Sequence, residues 1–317
     1  MSTVSAKRTR SKLHKTAAKA ITQSFDSVSR EKREINDKVL RKTLLRAQSV
    51  SEEREMQKVL VSPSECLFTI DPAVGFTSFD WPKEDSKLVK QAIKNTQKIR
   101  DQDTWEGKSY FRSMKSLKDY ALDSPEMQLA TSEAMLKSVA EYLGQLPMLL
   151  DISARISLSD PDRPGAALSG SQMFHRDMDD LSSVKVWILC SDVKSENGPT
   201  VLLPTKLSHA VAKEINYKQG AKIPNDLPFA AHKKDLFEAV GPVGTSFATD
   251  TCSAFHYGSR TEVSKERLVL YFQYVTSTSV YFRPLGERAG DRSRKFFQVP
   301  QQASLTSAQR TLLRGYL

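Results

Sequence analysis

With 317 residues, 39% of them hydrophobic and 14 Phe, 9 Tyr and 3 Trp among them, the chain has material for a substantial core. It exceeds the usual domain size, yet one large β-rich domain with additions reaches this length. A formal charge of +10 favours anionic partners or surfaces, but no zinc finger, RNP-like aromatic strand or P-loop accompanies it, so nucleic acid is not the expected partner. No apolar run approaches the length of a membrane span, and the opening Met1-Ser-Thr-Val-Ser-Ala-Lys-Arg8 lacks the apolar region of a secretory signal. Cys66, Cys190 and Cys252 have neither metal-ligand spacing nor the numbers for a disulfide scaffold, which points to a reducing, cytoplasmic setting.

The first 25 residues hold Lys7, Arg8, Arg10, Lys12, Lys15 and Lys19 without one acid. A flexible basic tail is the expectation, although an organelle-targeting presequence has the same composition. Between residues 30 and 60, Ile35, Val39, Leu40, Leu44, Leu45, Val50, Met56, Val59 and Leu60 recur among charged residues at helical spacings. One or two amphipathic helices follow from that pattern, offering a surface for the main domain or for oligomerisation. The expected division is a basic and helical extension over 1–60, a main domain over 61–300, and a tail over 301–317 with a helix at 306–313.

Within the main domain, a short strand is predicted at 76–79, a helix through 99, and irregular chain at 105–110. A helical period runs over 125–143 and is closed by Gly144. A strand at 149–158 leads into the turn-rich segment 160–165. These helices are expected to cover a sheet that starts near residue 149. In the second half, Val184, Val186, Ile188 and Cys190 alternate as one face of a strand. Asn197-Gly-Pro199 reads as a turn before a strand at 200–203. Residues 205–240 read as an insertion with a short helix, and strands are predicted at 243–247, 254–257 and 267–276. Many short strands separated by turns argue for a sandwich or barrel over βαβ repetition.

The stretch from Gln172 to Asp180 contains His175 and Asp177 in a His-x-Asp pair, and His256 lies 81 positions beyond His175. A strand would place positions i and i+2 on one face, so the imidazole and the carboxylate could converge on one metal. Two histidines and one carboxylate with open coordination positions form the facial triad of non-haem Fe(II) oxygenases. A surface turn is the competing reading, since Arg176, Asp179 and Asp180 are polar neighbours. Eleven residues past His256, Arg267 opens the apolar strand Leu268-Val-Leu-Tyr-Phe-Gln-Tyr274. A buried arginine there needs a partner. Either a structural salt bridge or a dicarboxylate co-substrate would meet that need.

Taken in order, these motifs resemble the phytanoyl-CoA dioxygenase family of Fe(II)- and 2-oxoglutarate-dependent oxygenases, over residues 70–282. The resemblance rests on His175-x-Asp177, the strand 184–189, Asn197-Gly-Pro-Thr-Val-Leu-Leu-Pro204, Ser208-His209, and His256 with Gly258, Arg267 and Gln273-Tyr274. It implies a mainly β, double-stranded β-helix (jelly roll, cupin-like) fold with flanking helices. Iron would be held by His175, Asp177 and His256, and Arg267 would take the distal carboxylate of 2-oxoglutarate. With O2 the family hydroxylates a small organic substrate and releases succinate and CO2.

Two departures stand out. Val269 occupies the place of a usual serine, so Thr200 or Tyr271 would have to assist Arg267, and Leu207-Ser-His209 replaces Gly-Ser-His. Gln172 and Lys185 flank the site and are candidates for co-substrate or substrate contact. His209 is either a site-supporting group or a loop cap, and Trp187 is expected in the core. The lysines between 206 and 240 suit an anionic small-molecule substrate or a solvated face. A cupin-type metal-dependent isomerase, or an inactive binding protein of the same fold, are the competing functions.

Overall fold

The computed structural model describes residues 46–100, 106–108, 111–159, 170–223, 227–279 and 299–317, with isolated positions between 32 and 42 and residues 168, 282 and 297. The expectations for residues 1–29 and 160–165 lie outside the described residues.

Helix α1 (Arg46–Leu60) seats Met56 beside Ala140 and Leu146. Strand β1 (Phe76–Phe79) precedes α2 (Ser86–Lys98), which buries Val89, Ala92 and Thr96, a spacing that keeps one face inward. Strand β2 (Glu106–Lys108) stands where irregular chain was expected over 105–110, and β3 (Phe111–Lys115) follows it. The single helix predicted over 125–143 is two helices, α3 (Pro125–Ala130) and α4 (Glu133–Leu143). The break lies at Thr131 and Ser132, where the Ser132 hydroxyl accepts from Met135 N at 3.2 Å and so caps a new helix. Gly144, in the left-handed region at φ 61°, ends α4 as expected.

The remaining strands are β4 (Met148–Leu158), β5 (Val184–Leu189), β6 (Thr200–Leu202), β7 (Phe237–Glu238), β8 (Ser246–Thr249), β9 (His256–Gly258) and β10 (Glu266–Val275). A seven-stranded sheet has the order β1-β8-β5-β10-β4-β3-β2, and a three-stranded sheet the order β7-β6-β9. Residues 174 and 175 extend the small sheet, because His175 bridges His256. Along the chain, β4, β5, β8 and β10 fall in the large sheet, while residues 174–175, β6 with β7, and β9 fall in the small one. Antiparallel strands that alternate between two facing layers in this order wind into the expected double-stranded β-helix.

Alternation decides what each strand shows to each side. Val184, Val186 and Ile188 of β5, with Leu268, Leu270 and Phe272 of β10 and Ile152 and Ile156 of β4, face the helices in the main core. Lys185 and Trp187, with Arg267 and the polar series Asp151, Ser153, Arg155 and Ser157, take the opposite face. The segment 205–240 contributes α5 (Thr205–Glu214) and the edge strand β7, so part of the expected insertion belongs to the sandwich. Helix α6 (Ser307–Leu312) brings Leu312, Leu313 and Tyr316 into the main core. Among the described residues no helix is long and apolar enough to cross a membrane.

Candidate metal centre

His175 is the last bridged residue of its short strand, and Asp177 follows where the chain leaves the sheet. Backbone bonds in both directions pin His175 to His256, at 3.0 and 2.9 Å. Asp177 is fixed by its own main chain, since its N–H donates to Thr251 O at 2.9 Å and its carbonyl accepts from Gln219 Nε2 at 2.5 Å. The two imidazoles and the carboxylate thus converge from adjacent strands of the small sheet, with ligand atoms all within 4.8 Å of one another. His175 Nε2 stands 3.6 Å from Asp177 Oδ1, and His256 Nε2 3.8 Å from Asp177 Oδ2.

Each histidine ring is oriented by a main-chain carbonyl. Nδ1 of His175 bonds Met173 O at 2.8 Å, and Nδ1 of His256 bonds Ala254 O at 3.2 Å. A carbonyl only accepts, so Nδ1 carries the proton and Nε2 presents a lone pair to the shared point. Burial lowers the pKa of His175, and burial together with the neighbouring His175 pulls His256 down to about 3, so both rings stand neutral, the form that binds a metal. Burial opposes ionisation of Asp177, but the Lys185 ammonium, 2.6 Å from Oδ2, holds its carboxyl well below the usual range. Two neutral imidazoles and one ionised carboxylate are the donor set of a facial Fe(II) site. The residues fit the metal.

Lys185 of β5 projects toward that carboxylate, with Nζ 2.6 Å from Asp177 Oδ2. Burial alone would lower its pKa, but Asp177 and Asp179 outweigh it and raise it. Trp187, expected in the core, is half-buried in the cavity wall with Nε1 donating to Thr249 Oγ1 at 2.9 Å.

Arg267, at the start of β10, opens into the same cavity of roughly 150 Å³ as the triad. Its Nη1 donates to the Thr200 hydroxyl at 3.2 Å and to Gly198 O, and its Nη2 to the Ser157 hydroxyl at 3.1 Å. Nε is buried without a partner, and among the described residues no carboxylate lies within ion-pair distance of the guanidinium. Burial pulls its pKa down to about 10. Thr200 is therefore bonded to Arg267, whereas the Tyr271 hydroxyl donates to Asp151 Oδ2 at 3.3 Å. Val269, where a hydroxyl was expected, packs against Leu189 and Phe247.

Ser157 was missed by sequence reasoning. Its signal is register, since it lies directly opposite Arg267 on β4. Gln172 lines the cavity. His209 is exposed on α5 and is not part of the cavity wall. Asp180 is buried and accepts from Thr276 N and Oγ1 at 2.7 and 2.8 Å, and Asp179 accepts from Gln273 Nε2 at 2.6 Å, so both brace β10.

No family model matches the chain, and no curated protein does. Solved structures of similar shape include the epimerase SnoN in complex with Fe3+, alpha ketoglutarate and nogalamycin RO, at 13% identity, TM-score 0.47, and 73% of this chain against 88% of that one. HygX from Streptomyces hygroscopicus with nickel and 2-oxoglutarate bound follows at 13% identity and TM-score 0.43, covering 65% and 84%. EctD from S. alaskensis with 2-oxoglutarate and 5-hydroxyectoine stands at 17% identity and TM-score 0.44, covering 69% and 81%.

Proposed function

We propose that the chain is an Fe(II)- and 2-oxoglutarate-dependent dioxygenase of the phytanoyl-CoA dioxygenase type that hydroxylates a small organic substrate. The observation that carries this reading is Arg267. A buried guanidinium with an orphaned Nε and no carboxylate partner is a costly group unless an anion completes it. It shares one cavity with a cluster of two histidines and one carboxylate. A dicarboxylate that reaches the metal at one end and Arg267 at the other satisfies both.

When bound, iron with 2-oxoglutarate and O2 supplies the oxidising power, with succinate and CO2 as co-products. His175, Asp177 and His256 would hold the ion and leave its remaining positions to co-substrate and O2. Arg267 anchors and orients the distal carboxylate, and Thr200 and Ser157 fix the plane of its guanidinium. Lys185 restrains Asp177 through the oxygen at 2.6 Å, which keeps the carboxylate in one rotamer. Gln172 and Trp187 are cavity-wall residues placed to contact co-substrate or substrate.

Anaerobic addition of Fe(II) and then 2-oxoglutarate is expected to give the visible metal-to-ligand band, and its absence in folded protein overturns the reading. Asp177→Ala should abolish the band. Arg267→Ala removes one partner of a buried charge pair, so 2-oxoglutarate affinity should fall by about 30-fold or more while iron binding persists. Unchanged co-substrate affinity would remove Arg267 from this role. Succinate release in air, with the oxidised product identified by mass, separates hydroxylation from an isomerase or a binding protein.

A further inference from the structure

The inward face of β4 carries a second guanidinium, outside the metal triad and the hydrogen bonds of Arg267. Arg155 lines the same cavity as the triad and Arg267. Its neighbours in the sheet order, β3 and β10, each lay a ring against it. Its Cζ is 5.1 Å from the centroid of Phe111 and 4.8 Å from that of Tyr271. Nε donates to the Ser153 hydroxyl at 3.1 Å. Its one ion pair among the described residues is with Asp151, at 4.0 Å, the outer limit of such a contact. Ring contacts and a bonded Nε orient the group and leave the Nη edge as its donor face.

The charges around the cavity point the same way. Lys185 is neutralised by Asp177 at 2.6 Å, and Arg267 is the group that a dicarboxylate completes. Arg155 is the cation left over. Beside it, Trp187, Leu158 and Phe111 give the cavity an apolar side. Asp151, the one acidic partner of Arg155 among the described residues, stands at 4.0 Å and makes no hydrogen bond to the guanidinium.

We infer that Arg155 is the substrate-binding residue that selects a small oxyanionic substrate, one bearing a carboxylate or phosphate joined to an apolar portion that lies along Trp187 and Leu158. This deepens the oxygenase reading and rests on it. A planar fork held between rings binds a two-oxygen anion edge-on through parallel N–H bonds, with geometric selectivity that a lysine does not supply. An anion fixed there would also place the apolar portion on the side of the cavity lined by Trp187.

The test uses the full chain, with Fe(II) and 2-oxoglutarate under anaerobic conditions and, in parallel, without either. Calorimetric titrations compare carboxylic acids with their primary amides, and phosphate monoesters with their parent alcohols; the series that binds identifies the oxyanion. The charged member of one series should bind at least about tenfold more tightly than its neutral partner, as a charge-assisted bidentate contact requires. Arg155→Gln should erase that preference while its 2-oxoglutarate titration stays within about twofold of wild type. Arg155→Lys, a variant that keeps the charge, should retain the preference with affinity weakened about tenfold.

Neutral members binding equally well, no member of either series binding, or a preference that survives in Arg155→Gln would overturn the proposal. So would a folded Arg155→Gln protein that loses the 2-oxoglutarate band, because Arg155 would then serve the co-substrate. If wild-type protein gives no band, the oxygenase reading falls. The titrations without metal then decide the oxyanion site separately.

Discussion

Asp151 shares the inward face of β4 with Arg155, accepts from Leu117 N at 3.1 Å, and sits behind the Tyr271 hydroxyl. Burial raises its pKa from 3.8 to about 6, against the smaller opposing pull of Arg155. The unfolded chain therefore releases this proton near pH 4, while the folded chain keeps it until about pH 6. Between those values the folded state binds more protons, so the contribution is fully present below pH 4 and is lost as the pH rises through 6. A gap of about two pH units corresponds to about 3 kcal/mol. Asp151→Asn keeps the acceptor for Leu117 N and cannot ionise. Its urea unfolding free energy should match wild type at pH 4 and exceed it by up to about 3 kcal/mol at pH 7.5. An equal difference at both values would show that ionisation of Asp151 is not the cause. At this scale, His175, Asp177, His256 and Arg267 were legible because their residue types suit the chemistry and their order and spacing match the family's motifs. Ser157 and Arg155 were not, because they reach the cavity through the pairing of β4 with β10, and cross-strand register leaves no mark on a single strand's composition.

The turn before β6 shows how an element's conformation sets the site. Gly198 has φ 69°, and an added Cβ would stand 2.6 Å from the backbone oxygen of Ser259 and 2.8 Å from the backbone nitrogen of Thr261. Its carbonyl accepts from Arg267 Nη1. Gly198→Ala therefore meets both the left-handed backbone penalty and a clash with main chain that cannot rotate away. A loss of about 2 kcal/mol or more is expected in urea unfolding. The 2-oxoglutarate titration should weaken in step, because the displaced carbonyl no longer aligns Arg267. A variant with wild-type stability and co-substrate affinity would mean that this turn does not position the guanidinium. The Asn-Gly turn was readable from its residue types. The split between α3 and α4 was not, because the period continues through Thr131 and Ser132 and only the Ser132 cap interrupts the backbone ladder. The strand expected at 243–247 begins later, at Ser246, since Gly241 and Gly244 take φ 156° and 96° in the turn that precedes it.

For the molecule as a whole, the large sheet is a plate with two unlike faces. One carries the cavity, and the other depends on helices for cover. A sandwich or barrel was legible from many short strands and turns, and the jelly roll from the family resemblance, but the last cover was not, since twelve residues at a chain end rarely announce a core role. Leu312, Leu313 and Tyr316 are 0%, 0% and 5% exposed, and the Tyr316 hydroxyl donates to Leu150 O at 3.0 Å, on the strand that carries Arg155 and Ser157 inward. Arg314 ties the same end to Glu52 of α1 at 3.0 Å and to Leu146 O at 2.9 Å. Three buried side chains at about 1.5–3 kcal/mol each are comparable with the net stability of about 5–15 kcal/mol that a folded domain has. Deleting residues 306–317 should therefore leave protein without a cooperative unfolding transition. Leu312→Ala, which leaves the helix and the Arg314 contacts in place, should cost about 2–5 kcal/mol in urea unfolding and leave the anaerobic 2-oxoglutarate titration unchanged in the protein that remains folded. A truncated chain that still unfolds cooperatively at the wild-type midpoint would show that β4 holds its place without the C-terminal helix.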